Sequence, residues 1–270
     1  MSGLPGFPFE GFPDKYPDEG EVILVSKYRM QEKVSKLAVF DIDGTIFRKN
    51  LHFELINELA WMKIFPLDAR RQLIEIYTNW VEHEGTYEQY RRALVNLYSE
   101  HIAGCRKSDV LRASKIVIPF HAKRTYVFAE NLIKKLRSEG YHLIAVSGSP
   151  SEVVEEYNAH YLKFDAAFGS IYELNDQDIY TGAAAFEPSK NKGEVVKQYV
   201  YEHGLSLEDS YGIGDTESDG SFLRLVKYPI AFNPNQNLKE QAEKEHWRIV
   251  IEKKDVVYEI TQDATVSLKR

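Results

Sequence analysis

Short apolar runs that close on small or acidic residues recur along this chain, separated by longer stretches in which apolar positions return every three or four residues. The first pattern predicts strands at 37–43 (LAVFDID), 141–149 (YHLIAVSGS), 210–216 (SYGIGDT), 229–234 (PIAFNP) and 247–252 (WRIVIE); the second predicts helices between them. Strands alternating with helices imply an α/β fold, a parallel sheet covered on both faces whose ligands bind at the carboxyl ends of the strands. The interval between the first two strands is too long for one crossover, which needs about a dozen residues. It holds four amphipathic stretches, 51–65, 67–85, 86–104 and 108–118, before a fifth at 123–140 leads back to the sheet. Residues 48–121 are therefore expected to form an inserted all-helical cap on a core built from 36–47 and 122–270. Because the insert departs directly after the first strand, it is placed to close over that strand's end as a lid. Ahead of the core, Pro5, Pro8, Pro13 and Pro17 alternate with Gly3, Gly6, Gly11 and Gly20. Such punctuation leaves no room for regular structure and predicts an extended arm within an N-terminal extension, 1–35.

With 270 residues, 43% of them hydrophobic, the chain can bury a sizeable core. No apolar run approaches the roughly 20 residues of a membrane helix, and the N-terminus has neither the basic start nor the apolar centre of a secretory signal. A cytoplasmic protein with no membrane partner is expected. The single cysteine, Cys105, allows neither an internal disulfide nor a thiolate cluster and is read as packing. A net charge of −7 argues against a nucleic-acid partner, because phosphate backbones need clustered Lys and Arg. Any phosphate bound by such a chain is expected to be small.

The candidate chemistry gathers at the predicted strand ends. Asp41 and Asp43 close the first strand, ahead of Gly44 and Thr45. Two carboxylates so close repel each other and lose hydration unless something neutralises them, as a divalent cation would. Their spacing puts both side chains on one side of an extended strand, or lets one side chain and one backbone carbonyl share an ion. An Asx turn without chemistry is the other meaning of DxDGT. In the second strand, Ser147 and Gly148 precede Ser149, Pro150 and Glu152, which read as N-cap, N1 and N3 of a capping box. Free amides, a helix N-terminus and a hydroxyl together make an anion site. GIGDTESDG repeats the logic: Asp215 follows a core strand and is expected at the same sheet edge, with Asp219 a helical turn later. Lys190 and Lys192 begin the preceding helix, where a cation opposes the helix dipole and suggests a task elsewhere. Which of the two lysines meets an anion is open at this point.

These four pieces, in this order, resemble the haloacid dehalogenase superfamily, and within it the phosphoserine-phosphatase-like branch with a C1-type helical cap. The resemblance spans roughly residues 37–251: DIDGT matches the first motif, SGS the second, Lys192 in KGEVV the third and GDTESD the fourth. It implies a Rossmann-like core and a Mg²⁺-dependent phosphomonoester hydrolase that acts on a small phosphorylated metabolite through an aspartyl-phosphate. Under that likeness Asp41 is the nucleophile, and Asp43 protonates the leaving alcohol and then activates water. Mg²⁺ falls to the Asp41 carboxylate, the Asp43 backbone carbonyl and Asp215. Ser147, the Gly148 amide and Lys192 take the phosphate oxygens. Asp219 orients Lys192 or a metal-bound water, and Thr45 ties the first loop to the phosphate side.

Two other activities stay open. One is a phosphotransferase or phosphomutase sharing the same intermediate; the other is a module that binds a phosphorylated ligand without turnover, for which replacement of Asp41, Asp43 or Asp215 would be expected. Substrate choice falls to the cap. Where phosphoserine phosphatases commonly carry an acid soon after the first motif, this chain has Arg48, Lys49 and Asn50, with Glu54 a turn further on. A basic run suits an anionic group better than an ammonium, and Arg48 is the candidate to lie over the leaving group. Arg91 and Arg92 are read as a solvated face, and the cap's Tyr and Trp residues as packing.

Overall fold

The computed structural model describes residues 36–260, so the expected arm lies outside the described residues. Among them eight strands form one sheet: β1 (Lys36–Phe40), β2 (His142–Pro150), β3 (Ala166–Leu174), β4 (Tyr180–Phe186), β5 (Ser206–Gly214), β6 (Tyr228–Phe232), β7 (Arg248–Lys253) and β8 (Val256–Ile260). The spatial order is β4-β3-β2-β1-β5-β6-β7-β8. All neighbours pair in parallel except the edge strands β4 and β8, which run antiparallel to β3 and β7. The five predicted strands are present as β1, β2, β5, β6 and β7; β3, β4 and β8 extend the sheet beyond them.

Alternation within β1 sets the two layers. Leu37 and Val39 join one apolar cluster and Ala38 and Phe40 the other, as side chains of successive strand residues must. The first cluster takes Val196 and Tyr199 from α7 (Lys192–His203) and Leu238 and Ala242 from α9 (Gln236–Lys244). The second takes Leu132 and Leu136 from α5 (Val127–Ser138) and Val153 and Tyr157 from α6 (Ser151–Tyr157), and continues into the insert. A short α8 (Gly220–Leu223) completes the first face.

Four helices fill the interval after β1: α1 (Leu51–Trp61), α2 (Leu67–Val81), α3 (Tyr87–Ile102) and α4 (Lys107–His121). Asn50 caps α1 by accepting from the Phe53 amide, and Thr86 with Gln89 closes a capping box on α3. The chain leaves the core and returns to it side by side. The Arg48 amide donates to the Arg124 carbonyl at 2.8 Å and the Tyr126 amide to the Ile46 carbonyl at 3.0 Å. From β7, Glu252 accepts from the Val127 and Phe128 amides that open α5, and pairs with Arg48 at the exit of the insert.

One local expectation is overturned. The capping box of Ser149, Pro150 and Glu152 does not form, because β2 runs through Pro150 and α6 starts at Ser151 with no side-chain cap. The Ser149 hydroxyl turns to Asp43 instead, and Glu152 accepts from the Tyr180 hydroxyl. Tertiary partners outbid a local motif here.

Candidate active site

Register brings the site together. Phe40 pairs with Ala145 of β2 on one side and with Ile213 of β5 on the other, so Asp41, Ser147 and Asp215 leave the middle of the sheet at nearly the same level. Asp41 is anchored by its amide, which donates to the Ile213 carbonyl at 2.9 Å. Its buried Oδ1 accepts from Lys192 Nζ at 2.5 Å, while Oδ2 has no partner among the described residues. Lys192 is the first residue of α7 and donates also to Asp219 Oδ1 at 2.6 Å. Asp219 Oδ2 accepts from the amides of Asp215 (3.0 Å) and Thr216 (2.9 Å), which fixes the loop after β5. Lys190, by contrast, is exposed and paired with Glu187.

Asp43 is gripped from both sides. Its Oδ2 accepts from the hydroxyls of Ser147 (3.0 Å) and Ser149 (2.6 Å), and its Oδ1 from the Leu51 amide (2.6 Å) that opens the first cap helix. A shift in the β2–β3 register between Val146 and Pro150 lifts residues 147–149 off the ladder and frees those hydroxyls to turn inward. Gly148 lies on the same pocket wall. Thr45 is buried behind the loop, its hydroxyl without a partner among the described residues. Arg48 does not reach this pocket. Its guanidinium donates to Glu252 and to the Thr125 carbonyl, lies over the Tyr126 ring and lines a neighbouring cleft.

The donor set fits a divalent cation. Asp41, Asp43, Asp215 and Asp219 are buried or nearly so around the single ammonium of Lys192, and no donor among the described residues meets the Asp215 carboxylate. One oxygen each of Asp41, Asp215 and Asp219 lies within 4.8 Å of the others. Both Asp219 oxygens are already engaged, so Asp41 and Asp215 are the better ligands. Gly44 makes room: with φ at +85°, a Cβ there would stand 2.0 Å from Asp215 Oδ2. Burial raises Asp41 to about 7 against the pull of Lys192, and Asp219 and Asp43 add to the rise. Burial likewise raises Asp215 well above the usual carboxylate range, with repulsion from Asp41 and Asp219 adding to it. Burial also raises Asp43, opposed by its bonds from Leu51, Ser149 and Ser147. Against the cost of its own burial, Asp219 and Asp41 keep Lys192 firmly protonated.

Residues 38–224 match the model of the haloacid dehalogenase-like hydrolases. The chain belongs to that family. It is 29% identical over 227 residues to phosphoserine phosphatase of Methanocaldococcus jannaschii, which covers 83% of this chain and 96% of that protein. It is 21% identical to histidinol-phosphatase of Neisseria meningitidis, over 80% of this chain and 99% of the relative. A solved structure described as the phospho-aspartyl intermediate analogue of phosphoserine phosphatase has a TM-score of 0.56 and 27% identity, covering 83% of this chain and 96% of that one. The superfamily and fold expected from the four motifs therefore hold. No helix among the described residues is long and apolar enough to cross a membrane.

In this haloacid dehalogenase-like hydrolase the cap supplies Arg91, expected on a solvated face, and His52, which the sequence did not single out. Arg91 of α3 lines the Asp41 pocket together with Tyr87 and Leu94, its guanidinium held by Glu88 at 2.8 and 2.9 Å. A signal existed: Arg91 interrupts the stripe of Tyr87, Tyr90, Leu94 and Leu97 at helical spacing, so it is not on the solvated face with Arg92. His52 of α1 lines the same pocket, buried, with Nε2 unpartnered among the described residues. Ser189, just before α7, and Ser149 complete the rim.

Proposed function

We propose that this hydrolase is a Mg²⁺-dependent phosphatase that cleaves small phosphomonoesters through a phosphoryl group carried on Asp41. The observation that carries the reading is the Asp41 carboxylate: buried, held at one oxygen by Lys192 and undonated at the other, beside a second acid gripped by two serines. The relatives named as phosphatases, and the solved structure described as a phospho-aspartyl intermediate analogue of phosphoserine phosphatase, support it.

In the first step the Asp41 carboxylate forms a bond to phosphorus while the bond from phosphorus to the alcohol oxygen breaks. Asp43, protonated, gives its proton to that oxygen, and burial favours the protonated form it needs. As a carboxylate it then takes a proton from water, whose oxygen attacks phosphorus and releases Asp41. Lys192 and the Gly148 amide hold phosphoryl oxygens, and the Ser147 and Ser149 hydroxyls keep Asp43 aimed. Asp41, Asp215 and the Asp43 carbonyl would hold Mg²⁺, which when bound screens the carboxylate from the anionic phosphate. Arg91 lines the pocket from the cap, its guanidinium paired with Glu88.

Phosphoserine itself is not favoured as the substrate. Asn50 already caps α1, and the nearby acid Glu54 is taken by Lys49 at 2.7 Å and His121 at 3.5 Å, so neither is free to receive the substrate ammonium. Phosphate release from a panel of phosphorylated metabolites tests the reading. Activity should require Mg²⁺, stop in EDTA and fall below about a tenth in Asp41→Asn, an isosteric amide that cannot serve as nucleophile. Full activity in chelator, or in Asp41→Asn, would overturn it.

A further inference from the structure

Resting on the phosphatase reading, we infer that an aromatic-walled cleft between cap and core is the leaving-group subsite, and that it selects phosphomonoesters whose alcohol carries an uncharged planar ring. The pocket at Asp41, Ser149 and Lys192 has a cavity volume of about 40 Å³. A cavity needs roughly 10–15 Å³ of such space to hold one water, so this pocket takes a group a few waters in size, a phosphoryl group and little more. The alcohol portion must extend elsewhere.

Directly adjoining is a cleft of about 660 Å³, which shares Asn50, Tyr87 and Asp215 with the pocket. Its volume falls in the roughly 300–1,000 Å³ range of small-molecule sites. The cap wall is made of Phe53, Tyr77, Trp80, Tyr87 and Tyr90, from three different helices. Trp80 stacks on Tyr90 with centroids 4.9 Å apart at 23°, and meets Tyr87 edge-on at 5.4 Å. Tyr77 is 44% exposed, although a ring of that size normally buries more of itself. Opposite stands Tyr126 of the core.

Charge decides what kind of group fits. The two cations of the cleft are already neutralised, Arg48 by Glu252 and Lys49 by Glu54. Asp215, at the junction with the pocket, belongs to the cation-binding set. A carboxylate on the alcohol would find rings but no free cation, whereas a neutral ring gains stacking and edge contacts on several sides. The cleft thus reads as a receiver for a flat apolar group tethered to the phosphate through a short arm.

The test uses ligands that differ by one ring. Ethylphosphonate and 2-phenylethylphosphonate cannot be hydrolysed, and their affinities for the Mg²⁺-loaded protein are measured by calorimetry; the corresponding ethyl and 2-phenylethyl phosphates, esters of similarly basic alcohols, are assayed for phosphate release. The ring-bearing phosphonate should bind about tenfold more tightly, and Trp80→Leu and the more exposed Tyr77→Ala should each erode that preference. Equal affinities in the wild-type protein, or a preference untouched by both substitutions, would overturn the subsite. Hydrolysis of both esters at the same kcat/KM would keep the phosphatase and remove the ring selectivity. Ring-dependent binding without release from either ester would retain the subsite and remove the phosphatase.

Discussion

Asp215 sits among Asp41, Asp43 and Asp219 with no donor of its own among the described residues, and burial and its acidic neighbours make its charge costly. Removing that charge in the absence of metal should therefore stabilise the fold. In EDTA, Asp215→Asn is expected to raise stability by ~1 kcal/mol, which for a chain of this size moves Tm by about 2–4 °C, while Mg²⁺-supported turnover is lost. Lys192→Met should do the opposite. Without the ammonium, Asp41 and Asp219 are two buried carboxylates with no counter-charge, a loss on the order of 3 kcal/mol. Thermal melts of the two variants in EDTA check both signs; a destabilised Asp215→Asn would mean that its carboxylate is already compensated. At this scale the acids were legible, because acids that end apolar strands oppose a local rule; a lysine at that helix N-terminus was legible too, but only the family resemblance pointed to Lys192 rather than Lys190. Ser149 was not, since it fits an N-cap, and Arg91 was misplaced because its pairing with Glu88 three residues earlier looks like that of any surface arginine, although its place on the apolar stripe was readable.

The first cap helix carries both a contact to the proposed acid and a titration. Its Leu51 amide binds Asp43, and one residue later His52 is buried against the Tyr98 ring at 4.8 Å. Burial, aided by the charge of Arg91, pushes His52 down to about 3 from its ordinary 6.5. The unfolded chain takes up this proton below pH 6.5 and the folded chain does not, so the folded state loses about 1.4 kcal/mol per pH unit from there down to about pH 3. His52→Gln removes the term. Between pH 7 and pH 5 it should lose about 2 kcal/mol less stability than the wild-type protein in urea titrations; an identical loss would show that His52 is not held neutral. Among the elements, central strands and cap helices were legible because β1, β2 and β5 and α1 to α4 carry strong apolar periods. The edge strand β4 was not: its TGAAA core is largely exposed and has no apolar alternation, and it is held by pairing to β3 rather than by a buried face.

Across the whole molecule, cap and core share one apolar cluster and are bonded at two adjoining links, at Asp43 and at β4, where the Gly104 amide donates to the Tyr180 carbonyl and the Tyr180 amide to the Cys105 carbonyl. The links hydrogen-bond to each other at 46–48 and 124–126, Glu252 ties Arg48 to the start of α5, and Asp43 joins a core loop to a cap helix. The helical insert was legible from the length of a single crossover, yet the position of Arg48 at the links was not, because Glu252 lies far along the chain. Any movement of the cap that withdraws the Leu51 amide changes the environment of the proposed acid. The proposal stands or falls on where the phosphoryl group goes. A single turnover with an excess of enzyme, quenched in acid within milliseconds and digested for mass spectrometry, reads this directly. The account predicts one added phosphoryl group on the peptide that contains Asp41, formed before inorganic phosphate and absent in Asp41→Asn. Phosphate released with no modified Asp41 peptide at any time, or a phosphoryl group found on another side chain, would contradict it.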